Sequence, residues 1–260
     1  MTIHNKTLRD AYPGGLAGAG GGPGRAAGRG TGRGRIARIA VRLPGPTLRA
    51  VPWAPILAAS VVGTGLVGWP ALSRDDLSAA LLSNLLRLAA VCAAVGAAFL
   101  LDDPAARTVQ TTPAPRLLRL SMRVAVALPV LAGGWAIAVL SARSAPNGRQ
   151  LPWVALSLEA AALIAVALAV AAVQLRRDDR AAGPLTAIVV LTAAVVAAVL
   201  DEPIALFPPP GDAHWGPTHR WWALIAVSAL SLYAWAAHDR NRRRRLRLPV
   251  RARVWRGRAG

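Results

Sequence analysis

The sequence predicts an all-α membrane protein, a polytopic bundle of six transmembrane helices with the N-terminus and C-terminus both cytoplasmic. Three observations lead there. The 260 residues are 54% hydrophobic with a mean hydropathy of +0.40, too apolar for a soluble domain of this size. The charged residues, 17% of the chain, largely avoid six long stretches. The basic residues then crowd into alternate gaps between those stretches, as they do in multi-pass membrane proteins.

A helix needs about 20 apolar residues to cross a bilayer. The first candidate is 51–72, "VPWAPILAASVVGTGLVGWPAL", and the second is 79–101. The third is 124–140, the fourth 152–175, the fifth 184–200 and the sixth 221–237. The third and fifth stand at the lower limit of length, and the arginines flanking them favour full crossings. With both ends inside, the segments 1–50, 102–123, 176–183 and 238–260 hold 26 of the 31 Lys and Arg residues. The outer segments hold only Arg74, Arg143, Arg149 and Arg220, and Arg87 falls within a span. That asymmetry sets the orientation. Trp53, Trp69, Trp153, Trp221, Trp222 and Trp235 fall near span ends, where amphipathic rings favour the membrane interface.

Outside this 51–237 transmembrane domain the chain is Gly- and Arg-rich. The N-terminal region does not read as a signal peptide, since no short apolar core precedes a cleavage site. Residues 1–34 form a Gly/Arg-rich cytoplasmic tail whose 13–34 part has too little apolar surface to fold. Its Arg–Gly spacing resembles RNA-binding tails, but a solvated tail beside anionic lipid is the favoured reading, and no nucleic-acid partner is expected. Across 35–50, "RIARIAVRL" puts Arg35, Arg38 and Arg42 on one helical face and Ile36, Ile39 and Leu43 on another, fitting an interfacial segment. Residues 238–260, "RNRRRRLRLPVRARVWRGR" among them, read as a second cytoplasmic tail held to lipid headgroups.

Several motifs point towards chemistry and fail in context. "GTGLVG" at Gly63–Gly68 has the spacing of a dinucleotide loop but lies inside the first span. Close helix packing explains it better, with Ala59 and Gly63 as a small-xxx-small pair. No phosphate loop with its lysine is present, because the one lysine is Lys6. Cys92 is the single cysteine, so no internal disulfide can form. His214 and His219 share an outer loop with Asp212 and could in principle hold a metal; polar loop surface is the preferred reading. "LDDP" at Leu101–Pro104 and "LDEP" at Leu200–Pro203 follow the second and fifth spans, hinting at an inverted repeat. Little else aligns between the halves, so coincidence is favoured. No nucleophile, base or metal set converges, and an enzyme is not expected.

Two ionisable residues lie within spans. Arg87 is roughly 12 Å in from Ala79, and Glu159 is roughly 10 Å in from Pro152, at about 1.5 Å per residue. An unpaired charge there costs about 2.5–3.5 kcal/mol. Either the two form an intramembrane ion pair across the bundle, or each snorkels to the outer interface. The sequence leaves both open.

The stretch "FLLDDPAARTVQTTPAPRLLRL" that follows the second span, with six spans and a basic segment before the first, resembles an actinobacterial group of ABC-2-type transporter permease-like membrane proteins. The near-absence of lysine and the alanine-rich spans suit such a GC-rich lineage. Asp102, Asp103, Pro104, Ala105, Thr108, Pro113 and Pro115 carry the match. The chain departs from the group at 201–220, where a long outer re-entrant segment has no counterpart. The resemblance implies a membrane subunit of an ABC-type exporter in the plasma membrane. It would act as a homodimer, or as a heterodimer with a second permease. A separate ATPase subunit would hydrolyse ATP, and no cofactor would sit on this chain. The loop after the second span would then be the ATPase-coupling loop, with Asp102, Asp103, Pro104, Arg107, Thr108, Pro113 and Pro115 as its marked residues. Its acids suit a basic partner surface, its prolines stiffen it, and its arginines hold it at the membrane. The alternative is a non-transporting integral membrane protein: an accessory, a sensor or a self-protection factor.

Overall fold

Each apolar stretch becomes a helix, because in a chain this poor in β-branched alternation only helical hydrogen bonding satisfies the backbone along uninterrupted alanine and leucine. The structure, a computed structural model, describes residues 48, 51–73, 77–102, 116–177, 182–199 and 206–238. Among the described residues there are six α-helices, one short 3₁₀ turn and no strand. They are α1 (Trp53–Ser73), α2 (Ala79–Ala98), α3 (Arg116–Ser144), α4 (Trp153–Arg177), α5 (Gly183–Val199) and α6 (Trp215–Ala237). The tails apart from His238, and the interfacial segment apart from Leu48, lie outside the described residues.

Local chemistry sets several of the ends. Ser78 caps α2, its hydroxyl accepting from the Leu81 N–H at 3.2 Å. Gly148 opens the 3₁₀ turn Gly148–Gln150 between α3 and α4. A side chain there would meet the Ala142 carbonyl oxygen at 1.9 Å, so only glycine lets the chain fold back so tightly. Asn147 donates from Nδ2 to the Leu77 carbonyl at 2.9 Å, joining this turn to the residue just before the α2 cap. Gly211 adopts φ +91° in the turn before α6, and the Asp212 carboxylate accepts from the His214 N–H at 2.7 Å.

Two boundaries differ from the sequence expectation. The third span was expected at 124–140, yet α3 runs 29 residues from Arg116 to Ser144. The sixth was expected at 221–237, yet α6 begins at Trp215. In both cases hydropathy marks the apolar middle, while the helix continues through Arg116, Arg119 and Arg123, or through His219 and Arg220, with its hydrogen bonds unbroken.

Helices α2 and α4 form the centre. Over half of the apolar window of each is buried, against about a fifth in α1 and α3. α2 packs against α1, α4, α5 and α3, and α4 packs against α6, α2 and α5. The buried surfaces are alanine-rich, with Ala89, Ala90, Ala93, Ala94 and Ala97 on α2 and Ala160, Ala162, Ala167, Ala171 and Ala172 on α4. Small side chains let the axes approach closely, which is how helices associate where water does not drive them together. Ala59 and Gly63 of α1 pack as the small-xxx-small reading requires. A Cβ on Gly96 would stand 2.9 Å from that of Ala59, and one on Gly63 would stand 3.3 Å from the Ala89 carbonyl oxygen.

The outward faces are apolar as well. Leu57, Val61, Trp69 and Leu72 of α1 are exposed, as are Leu185, Ile188, Val195 and Val199 of α5, and Leu224, Val227 and Leu230 of α6. Such continuous exposed apolar surface belongs in lipid. By length and composition α1, α2, α3 and α4 can each cross a membrane, and α5 is a shorter apolar helix of 17 residues. α6 falls outside that set, its hydropathy lowered by His219, Arg220 and its tryptophans.

A buried charge cluster joining α2, α4 and α6

Arg87 lies on α2 eight residues past its start, and Glu159 lies on α4 six residues past its start. The two helices pack side by side, and the equal depth brings the side chains together. Arg87 donates from Nε to Glu159 Oε2 at 2.9 Å and from Nη2 to Oε1 at 3.3 Å. The side chains are 7% and 1% exposed, so neither snorkels out of the bundle. The bidentate fork is the geometry in which a guanidinium best compensates a carboxylate.

The rest of the guanidinium is engaged too. Nη1 donates to the Phe207 carbonyl at 3.0 Å and Nη2 to the Pro208 carbonyl at 2.7 Å. Asn84, one turn earlier on α2, accepts at 3.4 Å. The Phe207 ring lies 5.2 Å from the guanidinium carbon and the Trp215 ring 5.8 Å, both within cation–π range. Trp222 fastens the same segment by donating from its indole to the Leu206 carbonyl at 3.0 Å. A buried ion pair is tolerable only when its remaining donors and acceptors are satisfied, and here the Phe207 and Pro208 carbonyls do that for the guanidinium.

The third member is His219. Its Nε2 stands 3.0 Å from Glu159 Oε1, and its Nδ1 stands 2.7 Å from the Trp215 carbonyl oxygen. The first is a contact and not an aligned hydrogen bond, since Nε2 is buried without a hydrogen-bond partner. The Trp215 ring stacks on the imidazole with centroids 4.4 Å apart. The sequence reading put His219 in a loop with His214 and Asp212; instead it is a helical residue facing Glu159. Pro217 and Trp222 were the available signal, the first marking an early helix start and the second, buried where its neighbour Trp221 is exposed, an inward face. His214 turns elsewhere, its Nδ1 3.0 Å from Asp212 Oδ1. Asp212 is held below the usual carboxylate range, first by the His214 N–H and then by its side chain. Among the described residues no three His, Cys, Asp or Glu side chains converge as metal ligands.

A second fastening sits at the other end of α2. Asp102 Oδ1 accepts from the Ala182 N–H at 2.7 Å and the Gly183 N–H at 2.9 Å, and Oδ2 accepts from Gly183 at 3.1 Å. A carboxylate on the first amides of α5 satisfies orphan donors and complements the helix dipole. Arg123 of α3 donates to the Asp102 carbonyl at 3.1 Å. Asp102, expected to offer its charge to a partner protein, is therefore spent within the chain. No local pattern announces a contact between residues eighty apart. Asp103, Pro104, Arg107, Thr108, Pro113 and Pro115 lie outside the described residues.

A small space between α1, α2 and α3 around Ser60, Gly63 and Gly134 has room for about one water molecule. Comparison of the chain with protein-family models, with curated proteins and with solved structures finds no match.

Proposed function

We propose that this chain is a permease-like membrane subunit of an ABC-type exporter, working with a separate ATPase. In this reading it crosses the plasma membrane six times with both ends cytoplasmic, and it pairs with a second permease copy or partner. The observation that carries the reading is the fastening at the Ala98 end of α2. The first residue of the 102–123 loop is bonded through its carboxylate to α5 and through its carbonyl to α3. A force applied to that loop reaches three helices at once, as an ATPase-driven subunit requires. The resemblance of 99–115 to exporter permeases points the same way.

Asp102 has a structural task, so the partner-facing role falls to Asp103 and the residues after it. Affinity purification of the full chain in mild detergent tests this. An ATPase carrying nucleotide-binding motifs is expected to co-purify, and Asp103→Ala together with Arg107→Ala is expected to release it. A chain that purifies without any ATPase contradicts the proposal. One observation favours the second reading, a non-transporting membrane protein: Arg87 and Glu159, buried in the bundle centre, compensate each other and do not line the small space between α1, α2 and α3.

A further inference from the structure

We infer that the end of the bundle where α1 and α3 begin and α2 finishes holds the phosphate of an anionic phospholipid headgroup, with Arg119 of α3 as its main contact. The depth comes from helix length. α3 has 29 residues, or about 43 Å at about 1.5 Å per residue. That matches a bilayer of about 40–45 Å counted with its headgroup layers, whereas the apolar stretch 124–140 fits within the hydrocarbon alone. The first two turns of α3 therefore stand at headgroup depth. Arg116, Arg119 and Arg123 lie in those turns, three and four residues apart, on one helix face.

Neighbouring elements fix the place. A Cβ on Gly96, in the last turn of α2, would stand 3.4 Å from the Cα of Ile56 in the first turn of α1. The Arg123 bond to the Asp102 carbonyl brings the start of α3 to the same end. The first turns of α1 and α3 carry no acid, although the start of a helix favours negative charge. Among the described residues Asp102 is the one acid at this end, and its carboxylate is committed to the Ala182 and Gly183 amides. Arg176, at the end of α4, is spent as well. Its guanidinium carbon lies 4.0 Å from the centre of the Trp235 ring, and it donates to the Trp235 carbonyl. Arg119 differs, because its Nε is buried without a hydrogen-bond partner. A buried donor on a charged group is costly to leave unmade. Phosphate oxygens suit it, since they can accept from Nε and a neighbouring Nη together. At this depth the bilayer supplies them, and the local surplus of arginine over acid among the described residues selects a headgroup of net negative charge. The inference holds whether or not the chain transports anything.

Native mass spectrometry of the full chain in detergent tests it, with phosphatidylglycerol or phosphatidylcholine added at equal concentration. The wild type is expected to retain one phosphatidylglycerol about tenfold more tightly, or better, than phosphatidylcholine. Arg119→Gln is expected to lose that preference. Arg220→Gln, which alters an exposed arginine on α6 at the opposite end, is expected to keep it. Equal retention of the two lipids by the wild type would overturn the proposal without reference to any variant's folding, and so would an undiminished preference in Arg119→Gln. Inorganic phosphate at millimolar concentration is expected to leave the bound phosphatidylglycerol in place. Full displacement by it would make this a site for a free anion and sink the lipid assignment.

Discussion

Arg87 without Glu159 would leave a full positive charge among alanines and leucines, and the reverse change would strand a carboxylate that is 1% exposed. Breaking one side of a buried pair costs about 3–5 kcal/mol, whereas replacing both partners by apolar residues is far milder. Arg87→Leu and Glu159→Leu should therefore each lower the unfolding free energy in detergent by roughly that amount. The double variant should lose clearly less than their sum, with a residual penalty from the uncovered Phe207 and Pro208 carbonyls. Asp102→Ala should cost about 1–2 kcal/mol through the loss of its cap on α5, readable in the same unfolding curves. Asp212 gives a pH prediction. Its folded pKa lies below the usual carboxylate value, so its contribution is present above that value and is lost as pH falls through the depressed one. A carboxyl titration followed by NMR should show Asp212 titrating below an ordinary aspartate, and His214→Ala, which keeps the backbone N–H and removes only the imidazole, should move it part of the way back.

Helix contacts in this bundle rest on small residues more than on interlocking bulk. Gly96 of α2 against Ala59 of α1 is the tightest of these, with 2.9 Å available to a new Cβ. Gly96→Ala should destabilise the α1–α2 pairing by about 1–3 kcal/mol as an overpacked contact. Ala59→Gly in the same background should recover part of that, and a thermal-unfolding double-mutant cycle measures the coupling. The pattern of elements was readable from the chain because apolar length is a direct signal, and α1, α2, α4 and α5 begin and end within a few residues of the expected limits. The ends of α3 and α6 were not, since arginine, histidine and tryptophan at a helix end look like loop residues to a hydropathy count. The Arg87–Glu159 contact was foreseeable as one of two options, because a rise of about 1.5 Å per residue puts both at one depth. His219 was hidden by the misplaced start of α6, and the Asp102 clamp by its sequence separation.

At the scale of the whole molecule, α2 is fastened at both ends. Arg87 ties its first half to α4 and to the Phe207 and Pro208 carbonyls, and the Asp102 bonds just beyond its last turn tie it to α5 and α3. The functional reading depends on these two fastenings lying on opposite sides of one membrane, with the 102–123 loop where an ATPase can reach it. Single cysteines introduced into a Cys92→Ala background test that most directly, at positions 146 and 212 on the proposed outer side and at 111 and 180 on the inner side. In intact cells a membrane-impermeant maleimide should label 146 and 212, and should reach 111 and 180 only after the membrane is opened. Labelling of 111 or 180 from outside, or of all four from the same side, would contradict the account.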